Sequence, residues 1–333
     1  MKFAAFIDDG LRGIDFYRDY IAQIKALTGA DSVAAIMGGW ILHSGFLPPE
    51  NRDSRCRKLR DAGADLVIEL PVHGAILKPD TYASVMAMLL QKLGCIDTLV
   101  LPCRKGDKEF LMKAAQVMVL APREYQQALR KLRSGRELFS IIPEAVDCVL
   151  PGAEQVMRDP MNRFAVEVRN AMLLSYCPTK ALLTEVDFDM PAEEFTPETD
   201  EKLGALFSKK LAAMDDAALT EIFGSSDSRN RKLRALSCGS FTGCCDALAA
   251  PDFSAHSARQ FLLRCLLDFR HITHSMCALH SYIFCIRILG DAAPEAEAEL
   301  RRKAGTAVTA GENPELITDT EHRAQALWEV LYR

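Results

Sequence analysis

Two alternating textures of apolar and polar positions fill the first 120 residues. Short apolar runs, KFAAFI (Lys2–Ile7), SVAAIMGG (Ser32–Gly39), DLVIELP (Asp65–Pro71) and TLVLPC (Thr98–Cys103), are too short for helices and are bounded by Gly, Pro or Asp. Between them DFYRDYIAQIKALTG, RCRKLRDAG and YASVMAMLLQKLG space their apolar residues as a helix does. This alternation predicts an α/β fold with a doubly wound parallel sheet. After Pro191 the acidic stretch AEEFTPETDE has no apolar period and reads as a linker. From Glu201 to about Leu289 the pattern is helical throughout, and Ala292 to Arg333 adds two helical stretches around a break at GENPE. The expected organisation is a sheet domain over residues 1–190 and an all-helical domain over 191–333, without internal repeats.

Composition adds limits. A chain of 333 residues exceeds the size at which single cores stop growing. It is 49% hydrophobic and 26% charged, ordinary for a globular protein, and has no run of about 20 apolar residues for a membrane span. MKFAAFI followed by Asp8 and Asp9 lacks the layout of a secretory signal, so a cytoplasmic location is expected. The eleven cysteines include no CxxC pair, and most read as small core residues. A net charge of -5 argues against a generally basic nucleic-acid binder, leaving local clusters to be judged separately.

TGADSVAAIMGGWILHSGFLPPENRDSRCRKLRDAGADLVIELP (Thr28–Pro71) resembles a stretch of the tRNA(Met) cytidine acetate ligase family. DPMNRFAVEVRNAM, SDSRNRKLRA, FSAHSARQFLLRCLLDFR, CIRILGD and ITDTEHRAQALWEVLY extend the likeness in collinear order over nearly the whole chain. The resemblance implies a Rossmann-like, HUP-type nucleotidyltransferase domain followed by a helical one. It also implies an enzyme that activates acetate with ATP as acetyl-adenylate and acetylates the wobble cytidine of elongator tRNA(Met). ATP, with Mg²⁺ if ATP is bound, is the implied ligand, and tRNA the implied partner.

The family's HxGH motif sets two imidazoles at a helix start, where donors and positive charge face a triphosphate. Here the corresponding loop is FIDDGLRGID (Phe6–Asp15). Aligning Gly13 with the motif's glycine puts Leu11 and Ile14 at the histidine positions, and neither can donate a hydrogen bond. Asp8 and Asp9 add negative charge where phosphates would lie. PCRKGD (Pro102–Asp107) replaces the family's GSE-type turn, and no SxxIR-like motif follows. With three nucleotide-contacting elements changed together, adenylation is expected to be weak, altered or lost. The alternative is a pseudoenzyme that serves as an RNA-binding or protein-binding module.

Nucleotide-contact candidates are therefore Asp8, Asp9, Gly10, Gly13, Asn162 and the pair Arg52 and Arg55, which read as lying in the loop after the second strand. Asn162 competes with a role as helix N-cap, and the arginines with a solvated helix face. Arg229, Arg231, Lys232 and Arg234 are the candidate RNA contacts, with KLRSGR (Lys131–Arg136) a second cationic run; both have the composition of ordinary surface helices. His271, His274, Cys277 and His280 recur at three-residue steps. Zinc usually draws ligands from at least two elements, so they are read as interior residues, and no metal is expected. Cys244 and Cys245 are read as structural, and a metal held by Asp8 and Asp9 ranks last. No GxSxG elbow or Walker A sequence is present, and no catalytic residue or oligomeric state is indicated.

Overall fold

The computed structural model describes all residues except 71, 78, 135, 137, 190, 223, 237–238, 251–252, 271–286, 305–314 and 333. The first half runs β1 (Phe3–Ile7), α1 (Ile14–Thr28), β2 (Ser32–Gly38), α2 (Arg52–Asp61), β3 (Leu66–Leu70), the single turn α3 (Val72–Ala75), α4 (Pro79–Leu93) and β4 (Thr98–Arg104). Then come α5 (Lys108–Leu120), α6 (Arg123–Leu132), α7 (Leu138–Asp147), the short α8 (Ala153–Val156), α9 (Pro160–Leu174) and β5 (Lys180–Val186). The remainder is α10 (Pro197–Ala213), α11 (Asp216–Glu221), α12 (Asp227–Arg234), α13 (Phe241–Leu248), α14 (Ala255–Leu266), β6 (Arg287–Ile288), α15 (Pro294–Ala304) and α16 (Glu315–Tyr332).

The six strands form one sheet in the order β5-β4-β1-β2-β3-β6. All neighbours are parallel except β6, which runs antiparallel to β3 with Ile68 opposite Ile288. β1, β2 and β3 are buried along nearly their whole length, as expected of parallel strands covered on both faces. The period of two divides their side chains: Ala4 and Phe6 pack with Tyr17, Ile21 and Ile24 of α1, whereas Phe3 and Ala5 join the larger core that includes α4, α5 and α9.

One strand was not anticipated and one expectation is corrected. β5 lies on the sheet's edge and mixes Lys180, Thr184 and Glu185 into its apolar run, so its signal is weaker than that of the buried strands. Arg287 and Ile288, read as the end of a helical stretch, instead form β6. The four residues His271, His274, Cys277 and His280 lie outside the described residues. The described cysteines are free thiols, and Cys244 and Cys245 are buried. Among the described residues no helix is long and apolar enough to cross a membrane.

Candidate functional site

β1 and β4 are adjacent although β2 and β3 lie between them in sequence, so the strand order reverses there. Open α/β sheets bind ligands in the crevice beyond the strand carboxyl ends at such a point. A cavity of about 470 Å³ lies there, within the size range of small-molecule sites. Its wall includes Asp8 and Asp9 after β1, Arg12 and Phe16 at the start of α1, His43 after β2, and Pro102 in β4. Phe164 of α9, Phe188 and Glu193 of the linker, and His256 and Arg259 of α14 complete much of it. A second cavity of about 530 Å³ shares His43, Pro160, Phe164 and His256 with the first.

Arg12 organises the loop. Its Nε lies 2.5 Å from Asp9 Oδ2, and its Nη2 donates to the Asp189 carbonyl at 2.6 Å. The guanidinium stands 4.1 Å from the Phe16 ring centroid and 4.3 Å from that of Phe188, in the corner formed by these two edge-to-face rings, whose centroids are 4.9 Å apart. On the far wall Arg259 pairs with Glu193 at 2.9 Å. Each of these two cations therefore carries a carboxylate partner. Gly13 caps α1 with extended backbone and without a side-chain bond to the first-turn N–H groups, leaving that helix start without a side-chain cap.

His43 and His256 bring imidazoles to the cavity from outside the first loop. Burial pushes the His256 pKa down to about 4, helped by His43 and by the Arg259 charge. Burial also lowers that of His43, against the pull of Glu193 and Asp9. Both rings are neutral at pH 7, offering a donor and an acceptor but no positive charge. His43 packs 5.1 Å from both Tyr82 and Phe164, and its carbonyl accepts from Gln260 Nε2 at 2.8 Å.

Beneath the cavity lies a buried polar cluster. Tyr17 donates its hydroxyl to Asp8 Oδ1, and Arg55 Nη1 stands 4.0 Å from Asp8 Oδ2. Arg55 Nη2 donates to the carbonyls of Gly38, at 3.1 Å, and Gly39. Burial, reinforced by Asp9, raises the Asp8 pKa although Arg55 pulls it down; burial likewise lowers that of Arg55. Asp8 Oδ2, Arg55 Nε and Arg55 Nη1 have no hydrogen-bond partner among the described residues.

Of the residues singled out from sequence, Asp8 and Asp9 line the cavity, whereas Gly10, Gly13, Arg52, Arg55 and Asn162 are not among its lining residues. Arg52 and Arg55 lie in the first turn of α2 rather than in a loop. Arg52 faces Glu69 at 3.5 Å and the Trp40 ring at 5.2 Å. Asn162 is buried; its Oδ1 accepts from the Arg104 backbone at 2.9 Å, and its Nδ2 donates to Asp107 at 2.7 Å. It thereby ties PCRKGD to α9, while the N-cap of that helix is Asp159.

Gly10 has φ +75°, and a Cβ there would stand 2.6 Å from Leu42 Cδ2. Gly10→Ala should therefore lower stability by about 1–3 kcal/mol, read as a shift in the urea midpoint. Gly13 has open space where a Cβ would lie, so Gly13→Ala should move that midpoint far less.

Among the RNA candidates, Arg229 donates to the Gly224 carbonyl and stands 4.5 Å from the Phe253 ring centroid. Arg234 donates to the carbonyls of Leu211 and Met214 at 2.8 and 2.7 Å, closing the end of α10. Arg231 and Lys232 are exposed. Among the described residues no group of three or more His, Cys, Asp or Glu side chains is arranged to hold a metal.

Sequence reading passed over Arg12, His43, His256 and Arg259. Arg12 had a local signal, a cation next to the helix-start glycine, and His43 follows a parallel strand at the ligand-binding edge. His256 and Arg259 are one turn apart on α14, and nothing local directs them to the sheet.

Known proteins provide an independent comparison. Residues 18–146 match the HIGH nucleotidyltransferase family model, a match that begins inside α1 and leaves residues 8–15 outside it. A tRNA(Met) cytidine acetate ligase of Acetivibrio thermocellus is 31% identical over 112 residues, 34% of this chain and 27% of that protein. A ligase of the same description from Thermoanaerobacter sp. is 30% identical over 151 residues, 44% of this chain and 38% of its own length. The matched part thus spans well under half of these relatives. Thermotoga maritima TmcAL in its apo form I superposes with a TM-score of 0.78 at 16% identity, covering 98% of this chain and 92% of the other. The same protein bound with alpha-thio ATP superposes with a TM-score of 0.75 at 17% identity, covering 91% and 84%.

Proposed function

We propose that the chain, which matches the HIGH nucleotidyltransferase family model over residues 18–146 and is similar in part to tRNA(Met) cytidine acetate ligases, is a member of that family and binds an adenine nucleotide in the switch-point cavity. In this reading it is a divergent ligase relative whose ATP-dependent activation of acetate is weak, altered or lost. The observation that carries the proposal is the cavity itself, at the reversal of strand order, with the rings of Phe16, Tyr20, Phe164 and Phe188 making part of its wall apolar. The alpha-thio ATP complex of the Thermotoga protein supports an adenine ligand. Adenylation is held to be altered because Leu11 and Ile14 cannot donate to phosphates and the cavity imidazoles are neutral. The exposed pair Arg231 and Lys232 is proposed as the tRNA contact on α12, and the sheet and helical domains are proposed to divide near residue 190.

Calorimetric titration with AMP and with ATP, each with and without Mg²⁺, tests nucleotide binding. Saturable binding of either, weakened at least tenfold by Arg12→Ala, is expected; absence of binding by both would overturn the nucleotide reading. Incubation with ATP and acetate is expected to give little or no acetyl-adenylate by chromatography. The second reading, an RNA-binding or protein-binding module without catalysis, is favoured by the Arg12–Asp9 and Arg259–Glu193 pairs, which occupy both cavity arginines. It predicts salt-sensitive tRNA binding, or partner binding, without nucleotide affinity.

A further inference from the structure

Resting on the nucleotide reading, we infer that His43 and His256 hydrogen-bond the uncharged base of the nucleotide where the two cavities meet, leaving its charged end on the Arg12 side. Position is the first observation. Both histidines line both cavities, together with Pro160 and Phe164, whereas Arg12 lines the first cavity and not the second. They come from separate elements, the loop after β2 and the first turn of α14. Gln260, one turn beyond His256 and fully buried, joins those elements: its Nε2 donates to the carbonyls of His43 and Leu77, each at 2.8 Å. Gly45, at φ +75°, lets the loop come so close that a Cβ there would stand 3.2 Å from Gln260 Cγ. The loop and the helix that carry the two rings are thus tied together before any ligand enters.

What the rings offer is the second observation. Among the described residues no hydrogen bond or ion pair engages either imidazole. A neutral imidazole has one donor and one acceptor nitrogen. Burial keeps both rings uncharged at pH 7: Glu193 and Asp9 pull the His43 pKa up without offsetting it, and His43 and Arg259 push that of His256 further down, to about 4. Tyr82, packed 5.1 Å from His43, is itself raised by burial and stays protonated. A phosphate at this junction would find both imidazoles neutral and the neighbouring Arg259 already paired with Glu193. A nucleobase instead presents ring nitrogens and an amino group, which a donor and an acceptor can match. Phe164, on the wall of both cavities and 5.1 Å from the His43 ring, gives that base an apolar neighbour.

Proton NMR of the histidine Cε1–H signals on the full chain tests this. The chain has seven histidines, and His43→Gln and His256→Gln assign the two signals. Saturating AMP at pH 7 is expected to shift both, each staying at the position of an uncharged ring, while inorganic phosphate shifts neither. By calorimetry His256→Leu is expected to weaken AMP and adenosine alike, by about tenfold. His256→Gln, which keeps a donor and an acceptor, is expected to retain most of the affinity, with circular dichroism checking the fold of both variants. AMP binding that leaves either signal unmoved, drives the two to the imidazolium position or is reproduced by phosphate would overturn this inference and leave the nucleotide reading intact; so would a folded His256→Leu variant with parental affinity. Binding of neither AMP nor ATP would overturn the nucleotide reading and this inference with it.

Discussion

Replacing Arg55 with leucine is expected to cost roughly 3–5 kcal/mol of stability, because it leaves a buried carboxyl without its countercharge. Arg55 and Asp8 are each about 1% exposed in their side chains, and the Asp8 carboxyl would keep only the Tyr17 hydroxyl as a side-chain partner. The carbonyls of Gly38 and Gly39 would lose the same donor. Because burial disfavours the charged form of both residues, removing both charges should be milder than removing one. Asp8→Asn combined with Arg55→Leu should therefore recover at least half the loss, a coupling that urea unfolding of the two single variants and the double variant would measure. A single variant within about 1 kcal/mol of the parent would sink the structural role assigned to the pair.

A second large effect should come from pH. Glu321 of α16 is buried beside Glu69, which is itself fully buried; its Oε1 accepts from the Val72 N–H at 2.7 Å, and Arg52 and Arg287 face Glu69 at 3.5 and 3.4 Å. Burial first, then the Glu69 charge, pushes the Glu321 pKa up to about 8, against the Val72 hydrogen bond and the two arginines. An acid whose folded pKa exceeds its unfolded value holds its proton longer in the folded chain. Its contribution is complete below the ordinary value of 4.5 and is lost as pH rises from there to about 8. The expected result is a fall of a few kcal/mol over that window, which Glu321→Gln should flatten. Urea midpoints at pH 5 and pH 8 supply the test, and an unchanged pH slope in the variant would exclude Glu321 as the source.

The sheet was legible in sequence where its strands are buried on both faces, because such strands must be continuous apolar runs between breakers. β5 escaped because an edge strand tolerates Lys180, Thr184 and Glu185, and β6 because two residues carry no period. The loss of histidines from the first loop was readable, since Leu11 and Ile14 are facts of composition. Less visible was that a second imidazole, His256, reaches the cavity through α14, since that contact depends on tertiary packing. Arg55 misled in the opposite direction: in a run of five cations it looks solvated, yet the first turn of α2 aims it inward at Asp8. Asn162 was correctly placed at the start of a helix, but its side chain spans to a loop more than fifty residues earlier in the chain.

The final helix bears on the order in which the molecule can be made. Trp328 of α16 donates to the Pro48 carbonyl at 2.8 Å, Tyr332 donates to that of Leu47 at 2.8 Å, and Glu321 receives the Val72 N–H. The first two contacts hold the segment that carries His43 into the cavity, and the third ties α16 to α3. On a ribosome the strands of the sheet emerge long before α16, so the parallel core can assemble while this wall of the crevice still lacks its brace. Ligand capture should therefore follow the docking of α16, and a nascent chain stalled near residue 310 would have the parallel strands but not a finished pocket.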